Sequence, residues 1–566
     1  MASFFRALSF VLLLAFGAPH VSAQADPAYG DCPLGTAQAD LREADVRARM
    51  FNTGNFFWKG GNAGYEVPKG SGLTSVFAAG LWVAGTVDDD IRVTAANYGG
   101  WEFRPGPLGP DGSAPSIESC LAADRIWRVT VDDVAAYNAG GEPTADLAEW
   151  PAELGAPVVD GDGVAGNYDL AAGDRPAILG GETAWWILND RGGPRTGFGG
   201  DPLGVEVRIL AFSFPVSYTA QRFGAPGAGY APTLAQQTFY RIRVTNGNTA
   251  DTLDDFALAY WSDNDLGDYQ DDYVGSDPVR DLGFTYNADD DDSVQAGGYG
   301  DRPPAMGSVF LNTPLDGFLY YNGDSNPING EPRSAQSIYR FLHGQWIDGQ
   351  PRTRGGDGTD PDAEPTAFMF DGRPPAYWSE FDASPEPGEQ PNVPSDRRYV
   401  SYVSRDRLEP GETWTVDLAL VWTQTPTSGS LASLRSLDLL YREVDRIQNI
   451  YDSAGLFSPD PDLLTVLPPG SETGEPTLPE TLGLGQRPRP HPVVPSSVLD
   501  VAVPDGVAAS VEVFDALGRR VAEVPLQAGQ EAVAVGALGL APGAYLARLT
   551  ADGQVSARIV QFIVAR

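Results

Sequence analysis

Histidine and lysine are scarce in this sequence of 566 residues. It contains three histidines, and its only lysines are Lys59 and Lys69. Beyond residue 23 only His343 and His491 remain, which excludes a zinc centre built on paired histidines. A Ser-His-Asp triad would have to use His343, and the stretch NGDSNP around Ser325 lacks the G-x-S-x-G form of a nucleophile elbow. The sequence therefore predicts no catalytic residue.

The chain also lacks net positive charge and long apolar runs. Its 76 acidic residues against 38 basic ones give a formal net charge of -38. Nucleic acids and anionic membrane surfaces would be repelled, so neither is expected as a partner. After the amino-terminal segment no stretch of about 20 apolar residues follows, which predicts no transmembrane segment. The acidity either attracts cations or reflects adaptation to salt, and composition does not separate the two.

The residues that are abundant indicate a packed protein with many strands. A hydrophobic fraction of 42% supplies a core, while 66 glycines and 47 prolines indicate many turns. The length exceeds the usual domain size of about 100 to 200 residues, so more than one domain is expected. Short β-branched or aromatic runs bounded by glycine, proline or aspartate predict strands. The clearest are RIWRVTV, GVEVRILAFSF, QTFYRIRVTN, RRYVSYVSR and TWTVDLALVWTQ.

One segment near residue 440 has helical periodicity instead. Its apolar residues recur at three- and four-residue steps, at Leu434, Leu437, Leu440, Val444, Ile447 and Tyr451. They predict an amphipathic helix that packs on a sheet and ends near Gly455. The fold class is thus predicted to be mainly β, with residues 24–455 forming one large region of one or two subdomains, which we call the cargo region.

The first 23 residues have the pattern of a secretory signal peptide. In MASFFRALSFVLLLAFGAPHVSAQA an early positive charge at Arg6 precedes the apolar run Leu8–Phe16. Small residues at Val21 and Ala23 then mark a cleavage site before residue 24. The mature chain is therefore expected outside the cytoplasm.

Cys32 and Cys120 are the only cysteines. In an oxidising compartment a disulfide between them is the simple interpretation, and two unpaired thiols are the alternative. Closing so long a loop would contribute about 4 to 5 kcal/mol on the chain-entropy model.

The last part of the chain is predicted to be a small separate domain. Residues 456–488 are rich in proline, glycine and acidic residues, which indicates an extended linker. Over residues 489–566, apolar and polar residues alternate in short runs separated by turns, which predicts a small β-sandwich. Asp552-Gly553, between two such runs, predicts a hairpin because a type I′ turn needs positive φ at both central positions.

This domain resembles the type A C-terminal sorting domains of the bacterial type IX secretion system. The motifs that carry the resemblance are PHPVVPSSVLDV, VEVFDALGRRV, LAPGAYLARL and RIVQFIVAR. Within them the matching positions are Pro490, Pro492, Leu517, Gly518, Arg519, Gly543 and Tyr545. The family usually has asparagine between the two prolines, where this chain has His491.

The resemblance implies a fold, an export route and a partner. It implies an Ig-like sandwich for residues 489–566, recognised by the type IX secretion machinery after the signal peptide has directed passage through the inner membrane. In the family the domain is typically removed, and the cargo is released or stays on the cell surface, outside the outer membrane. Segments of the cargo region, among them DLGDYQDDYVGSD, resemble exported proteins with such sorting domains and no assigned activity.

An aspartate-rich segment of the cargo region predicts a calcium site. WSDNDLGDYQDDYVGSD, residues 261–277, holds six aspartates and no lysine or arginine. Clustered carboxylates without basic partners repel one another, so either their pKa values rise or a cation binds. Outside the cell the available hard cation is calcium, which takes six to eight oxygen ligands. The candidate ligands are Asp263, Asp265, Asp268, Asp271 and Asp272.

A second segment, VVDGDGVAGNYD, resembles a calcium loop of EF-hand or dockerin type. If Gly163 is the turn glycine, Asp160 and Asp162 fall at loop positions three and five. Asp169 then falls at position twelve, but Val158 at position one breaks the pattern, so ligands from elsewhere would be needed. For both segments the alternative is a solvated turn, which aspartate bends and caps.

Two functions are compatible with these features. The leading prediction is an exported, calcium-stabilised β-rich protein that binds a glycan or a protein or has a structural role on the envelope. The alternative is a secreted polysaccharide hydrolase, which needs only two carboxylates, although no specific pair stands out. Aromatic clusters at NFFW, TAWWIL and AYWSEF would stack on sugars only if exposed, and most are expected in the core.

Overall fold

The chain divides into two units, Met1–Pro469 and Gly470–Arg566, in a computed structural model. The division falls inside the segment 456–488 that was predicted to be a linker. The predicted signal peptide lies outside the described residues. The described residues are 29–99, 101–164, 166–223, 226–383, 391–459, 483–484, 499–502, 509–515, 520–526, 532–540, 543–551 and 554–564.

The first unit is built from short strands interrupted by helices. Its strands are β1 (Gln38–Leu41), β2 (Arg47–Phe51), β3 (Asn55–Phe56), β4 (Tyr65–Glu66), β5 (Thr74–Val76), β6 (Ala78–Val87), β7 (Asp90–Ala95), β8 (Arg104–Pro105), β9 (Trp127–Thr130), β10 (Val158–Val159), β11 (Arg175–Pro176), β12 (Glu182–Asn189), β13 (Val205–Ser213), β14 (Thr238–Asn246), β15 (Leu253–Asp263), β16 (Asp272–Asp277), β17 (Leu282–Asn287), β18 (Pro304–Phe310), β19 (Gly317–Asn322), β20 (Arg397–Leu408) and β21 (Thr413–Gln424). Its helices are α1 (Ile117–Ala122), α2 (Val131–Asn138), α3 (Ala145–Ala148), α4 (Val216–Arg222), α5 (Gly227–Leu234), α6 (Ala335–Phe341) and α7 (Ala432–Ala454).

Two large antiparallel sheets contain all of these strands except β10 and β11, which pair with each other. In the first sheet the order is β19-β20-β15-β6-β3-β2-β4-β5, with β1 beside β2 and β7 beside β6. In the second sheet the order is β16-β17-β18-β21-β14-β13-β12-β8, with β9 beside β12. All five segments predicted as strands contain one, namely β9, β13, β14, β20 and β21. The prediction of a mainly β fold is confirmed.

The two sheets share one hydrophobic core. Side chains of a strand alternate between its two faces, and in β14 this places Tyr240, Ile242 and Val244 in the shared core. The first sheet contributes, among others, Trp82 and Tyr260 to the same core. Alternation in the second sheet therefore separates this inner core from a second apolar layer on the outer face.

Helix α7 covers the outer face of the second sheet. Its residues Leu437, Leu440, Val444 and Ile447 are buried there. Leu434 and Tyr451 are partly buried and pack against the same layer. The helix ends before Gly455, which has a φ of 66°. The amphipathic helix predicted near the end of the cargo region is thus confirmed.

Gly307 of β18 allows this helix to lie close to the sheet. A Cβ atom at this position would lie 2.6 Å from a methyl group of Leu282 and 3.3 Å from one of Leu440. A larger residue would therefore clash with Leu282 of the sheet and press against Leu440 of the helix.

The aromatic clusters are mostly internal, as expected. Phe56, Trp186 and Trp378, one from each cluster, are buried.

Cys32 and Cys120 are joined by a disulfide. Among the helices of the described residues, none combines the length and the apolar character needed to cross a bilayer.

The second unit contains two small antiparallel sheets. Its strands are β22 (Gly483–Leu484), β23 (Leu499–Ala502), β24 (Ala509–Asp515), β25 (Arg520–Leu526), β26 (Ala532–Val533), β27 (Gly543–Ala551) and β28 (Gln554–Val564). One sheet has the order β22-β23-β26 and the other β25-β24-β27-β28. Buried residues of both sheets, such as Leu499 and Leu549, form one core. The sheets are sandwich-like, and the specific Ig-like form stays a prediction.

In the sequence, the predicted hairpin turn lies between β27 and β28. These strands pair antiparallel with Ala551 opposite Gln554, although Asp552 and Gly553 themselves lie outside the described residues.

Truncation of Leu440 to alanine is expected to lower the free energy of unfolding by about 2 to 5 kcal/mol, because it opens a cavity between α7 and the sheet. Arg442→Ala on the exposed side of the same helix is the matched control and should change stability by less than about 0.5 kcal/mol. Urea unfolding followed by circular dichroism measures both. Equal effects of the two substitutions would contradict the packing of α7 described above.

Candidate metal centre

The aspartate-rich segment begins inside a sheet. Asp263 is the last residue of β15, which lies between β6 and β20. Its neighbours across the two strand pairs are Ala78 and Arg398. Asp263 is only 1% exposed. Because burial of an unpaired carboxylate is costly, this residue needs a positive partner or a proton.

The pairing of β15 with β20 brings a third carboxylate to the end of β15. Since the strands are antiparallel and Asp263 lies opposite Arg398, the residues after Asp263 meet those before Arg398. One carboxylate oxygen from each of Asp263, Asp265 and Asp396 lies within 4.8 Å of the other two. We call these three residues the carboxylate cluster. Asp396 was not predicted, because nothing in its local sequence PSDRRYV marks it as a ligand.

Arg398 and Tyr98 bind carboxylate oxygens of the cluster. They contact one oxygen of Asp263 and one oxygen of Asp396. The Tyr98 hydroxyl donates to Asp263 Oδ2 at 2.7 Å, and Arg398 Nη2 lies 3.4 Å from the same oxygen. Arg398 Nη1 lies 2.8 Å from Asp396 Oδ2. The Oδ1 atoms of Asp263 and Asp396 are buried and have no hydrogen-bond partner among the described residues. Each of these carboxylates thus has one compensated and one uncompensated oxygen.

The charge of the cluster is only partly balanced. Three carboxylates and the Arg398 guanidinium give a formal charge of about -2 when all are ionised. Burial raises the pKa of Asp263, an effect that Arg398 opposes and Asp396 increases. Burial also raises the pKa of Asp265, and the carboxylates of Asp263 and Asp396 raise it further. The cluster therefore favours bound protons or a bound cation over three free charges.

The donor atoms of the cluster suit a hard divalent cation. All three side chains offer carboxylate oxygens, the ligand type that calcium and magnesium prefer. The uncompensated Oδ1 atoms of Asp263 and Asp396 are what such an ion would pair with. Calcium takes six to eight oxygens, so main-chain carbonyls or water would complete the shell.

The other predicted ligands of this segment do not join the cluster. β15 belongs to the first sheet and β16 to the second, so residues 264–271 carry the chain from one sheet to the other. Each of the later aspartates accepts a hydrogen bond of its own: Asp268 from the Gln270 amide, Asp271 from the Asn287 side chain, and Asp272 from the Leu266 amide. The segment supplies two residues to the cluster instead of five.

The environment of Asp271, Asp272 and the neighbouring Asp292 nevertheless disfavours the charged carboxylate, so their pKa values are raised. Burial raises the pKa of Asp271 to about 7, and the neighbouring Asp292 and Asp268 carboxylates add to the effect. Burial raises the pKa of Asp292 to about 6. Asp272 is buried completely, which raises its pKa well above the ordinary value.

In the second predicted loop the structure assembles a different set. Asp160, Asp162 and Asp174 bring one oxygen each within 4.8 Å of one another. Asp169 does not take part, because its Oδ1 accepts a hydrogen bond from the Ala172 amide at 3.0 Å and caps a turn. Both oxygens of the buried Asp174 accept main-chain hydrogen bonds. This set is consistent with a turn held by its own hydrogen bonds, and calcium binding there stays a prediction.

Two of the positions matched to the sorting domain are described. Gly543 begins β27, and Tyr545 of the same strand is buried opposite Asp515 of β24. Outside the described residues lie Pro490, Pro492, Leu517, Gly518 and Arg519.

The histidine of the cargo region has a structural setting. His343 follows α6, and its ring stacks on Tyr339 with centroids 3.8 Å apart. Its two ring nitrogens lie near the carbonyl oxygens of Tyr339 and Asp255. A general base would instead need a ring nitrogen facing the hydroxyl of a nucleophile.

A cleft of about 510 Å³ lies beside α1 and α3. Its walls include Arg125, Glu149 and Glu153 together with two tryptophans. These are Trp127 and Trp150, which are only 5% and 3% exposed. The Arg125 guanidinium also lies 5.2 Å from the centre of the Trp127 ring. Neither indole therefore offers an open face on which a sugar would stack.

The comparisons with known proteins add no family to this description. The sequence matches no protein-family model, and no curated protein is significantly similar to it. The assignment of a function therefore depends on the motifs and the geometry given above.

Without divalent cations, the free energy of unfolding is expected to fall as the pH rises from about 4, the ordinary aspartate value, to about 7, the value for Asp271. A carboxyl with a raised pKa in the folded state holds its proton more tightly when folded, so its contribution is present at low pH and lost as the pH rises through that pKa. Urea unfolding in EDTA at several pH values measures this.

Asp271→Asn should flatten this pH dependence, because the amide resembles the protonated acid. Asp301→Asn, at an exposed aspartate, should leave it unchanged. A stability that increases from pH 4 to pH 7 in EDTA would contradict the prediction.

Proposed function

We propose that this protein is exported and acts outside the cell as a calcium-stabilised β-sandwich protein with a binding or structural role. The observation that carries the calcium assignment is the pair of buried Oδ1 atoms of Asp263 and Asp396, which no described residue compensates. Arg398 neutralises part of the charge, so one divalent ion would balance the formal charge of the cluster. Extracellular fluid supplies calcium to such oxygen sites.

The export route is supported by features at both ends of the sequence. Residues 1–23 have the pattern of a signal peptide. Residues 489–566 carry the motifs that resemble a type IX sorting domain, and the described parts of that region form small antiparallel sheets. We therefore propose the type IX secretion machinery as the partner of this domain and the cell surface or the medium as the destination.

For the cargo region a binding or structural role is better supported than hydrolysis. A hydrolase of polysaccharide would need two carboxylates across a groove that holds a sugar chain. The cleft beside α1 and α3 has Glu149 and Glu153 in its walls, but its tryptophans are buried. The ligand of the binding role is proposed to be a glycan or a protein.

Calcium is expected to stabilise the purified protein against unfolding. A ligand that binds only the folded state adds about 2.7 kcal/mol when its free concentration is 100 times Kd. Thermal unfolding in EGTA and then in millimolar calcium should therefore show a rise of several degrees. Asp263→Asn and Asp396→Asn should each remove most of this rise, because each deletes a charged ligand.

The matched control is Asp291→Asn, which makes the same change of charge at an exposed position outside the cluster. It should retain the full calcium effect. A rise that persists in both cluster variants would place the ion elsewhere, and the loop with Asp160 and Asp162 would be the next site to test. No rise in the unmodified protein would refute the calcium assignment.

Deletion of residues 489–566 is expected to retain the protein in the periplasm of a bacterium with a type IX system, because the machinery would have no domain to recognise. The full chain should reach the surface or the medium. Cell fractionation and immunoblotting distinguish the two locations, with the full chain in a strain lacking the system as control. Equal export of both chains would refute the sorting role.

A further inference from the structure

Tyr98 lies between Asp263 of the carboxylate cluster and Arg398, and it forms a hydrogen bond with each of them. Its hydroxyl donates to Asp263 Oδ2 at 2.7 Å and accepts from Arg398 Nε at 2.9 Å. A tyrosine hydroxyl has a single hydrogen to donate. With Arg398 on its oxygen, that hydrogen is directed to Asp263, so the bond has one orientation.

The position of the Tyr98 ring is set by aromatic packing. The ring meets Trp261 edge to face, with centroids 5.2 Å apart. Trp58 and Phe77 make similar contacts at 5.9 and 6.3 Å. Aromatic pairs of this geometry stabilise one arrangement of the rings. Tyr98 therefore approaches Asp263 from a fixed direction.

Arg398 acts on both sides of the cluster. It lies opposite Asp263 in the β15–β20 pair, and its Nη1 reaches Asp396 Oδ2 at 2.8 Å. Asp263 Oδ2 is thus bound by Tyr98 and Arg398, and Asp396 Oδ2 by Arg398 alone. The Oδ1 atoms of both carboxylates lack a partner among the described residues.

We propose that Tyr98 and Arg398 are positioning residues of the cation site. By binding the Oδ2 atoms they fix the rotation of the Asp263 and Asp396 carboxylates and present the Oδ1 atoms to calcium. This inference rests on the proposed calcium site and adds residues that do not touch the ion. Partners of this kind orient ligands in known metal sites, and their loss typically weakens metal binding by about 10- to 100-fold.

Calorimetric titration of calcium into the chelator-treated full chain tests the inference. Tyr98→Phe keeps the ring and removes only the hydroxyl, so it should raise the Kd for calcium by about 10- to 100-fold. Tyr269→Phe, at an exposed tyrosine of the same aspartate-rich segment, is the matched control and should leave the Kd unchanged. Arg398→Lys keeps the positive charge but loses the Nε donor, and it too should raise the Kd.

Thermal unfolding separates positioning from a merely structural role. A structural role of the hydroxyl would lower the unfolding temperature equally in EGTA and in calcium. Positioning would instead reduce the difference between the two conditions. If Tyr98→Phe does not fold, Arg398→Lys gives the same comparison.

The outcomes distinguish this inference from the calcium assignment itself. Normal binding by the unmodified protein with an unchanged Kd in the folded variants would overturn the positioning role alone. An absence of calcium binding by the unmodified protein would overturn the site and the positioning role together.

Discussion

The pairing of β15 with β20 is the constraint on which the candidate site depends. Its register places Arg398 opposite Asp263 and brings Asp396 to the residues that follow β15. A shift by one residue would turn these side chains to the other face of the sheet. The register is in turn held by core residues such as Tyr260 and Val400, which are buried. Packing between the two sheets thus fixes the geometry of a polar site where β15 ends and β20 begins.

The two arginines of the short sequence Asp396-Arg397-Arg398 form ion pairs with three carboxylates, one of which is Asp396 itself. Asp396 joins the cluster, while Arg398 pairs with Asp263. Arg397 lies between them and pairs with the buried Glu380 at 2.9 Å. Neighbouring side chains of a strand point to opposite faces, so adjacent arginines can serve different partners. The start of β20 is therefore a point at which charge on several segments is balanced.

Two other buried carboxylates of the first unit are each paired with an arginine of their own. Glu102 pairs with Arg195, and Glu182 pairs with Arg128. Breaking such a buried pair leaves an uncompensated charge and is strongly destabilising. In the carboxylate cluster three acids share one arginine, and that difference is the physical basis for proposing a cation there. Burial raises the pKa of Asp263 despite the presence of Arg398, and the Asp396 carboxylate adds to the effect.

The periodicity of apolar residues in the sequence was sufficient to predict the fold class, the five strands and helix α7. Alternation and helical periodicity reflect which face of an element is buried. Local chemistry in the sequence also identified Asp263 and Asp265 as candidate ligands. The partners Asp396, Arg398 and Tyr98 could not be predicted. They come from segments distant in sequence and meet Asp263 only through strand register and aromatic packing, which tertiary structure alone decides.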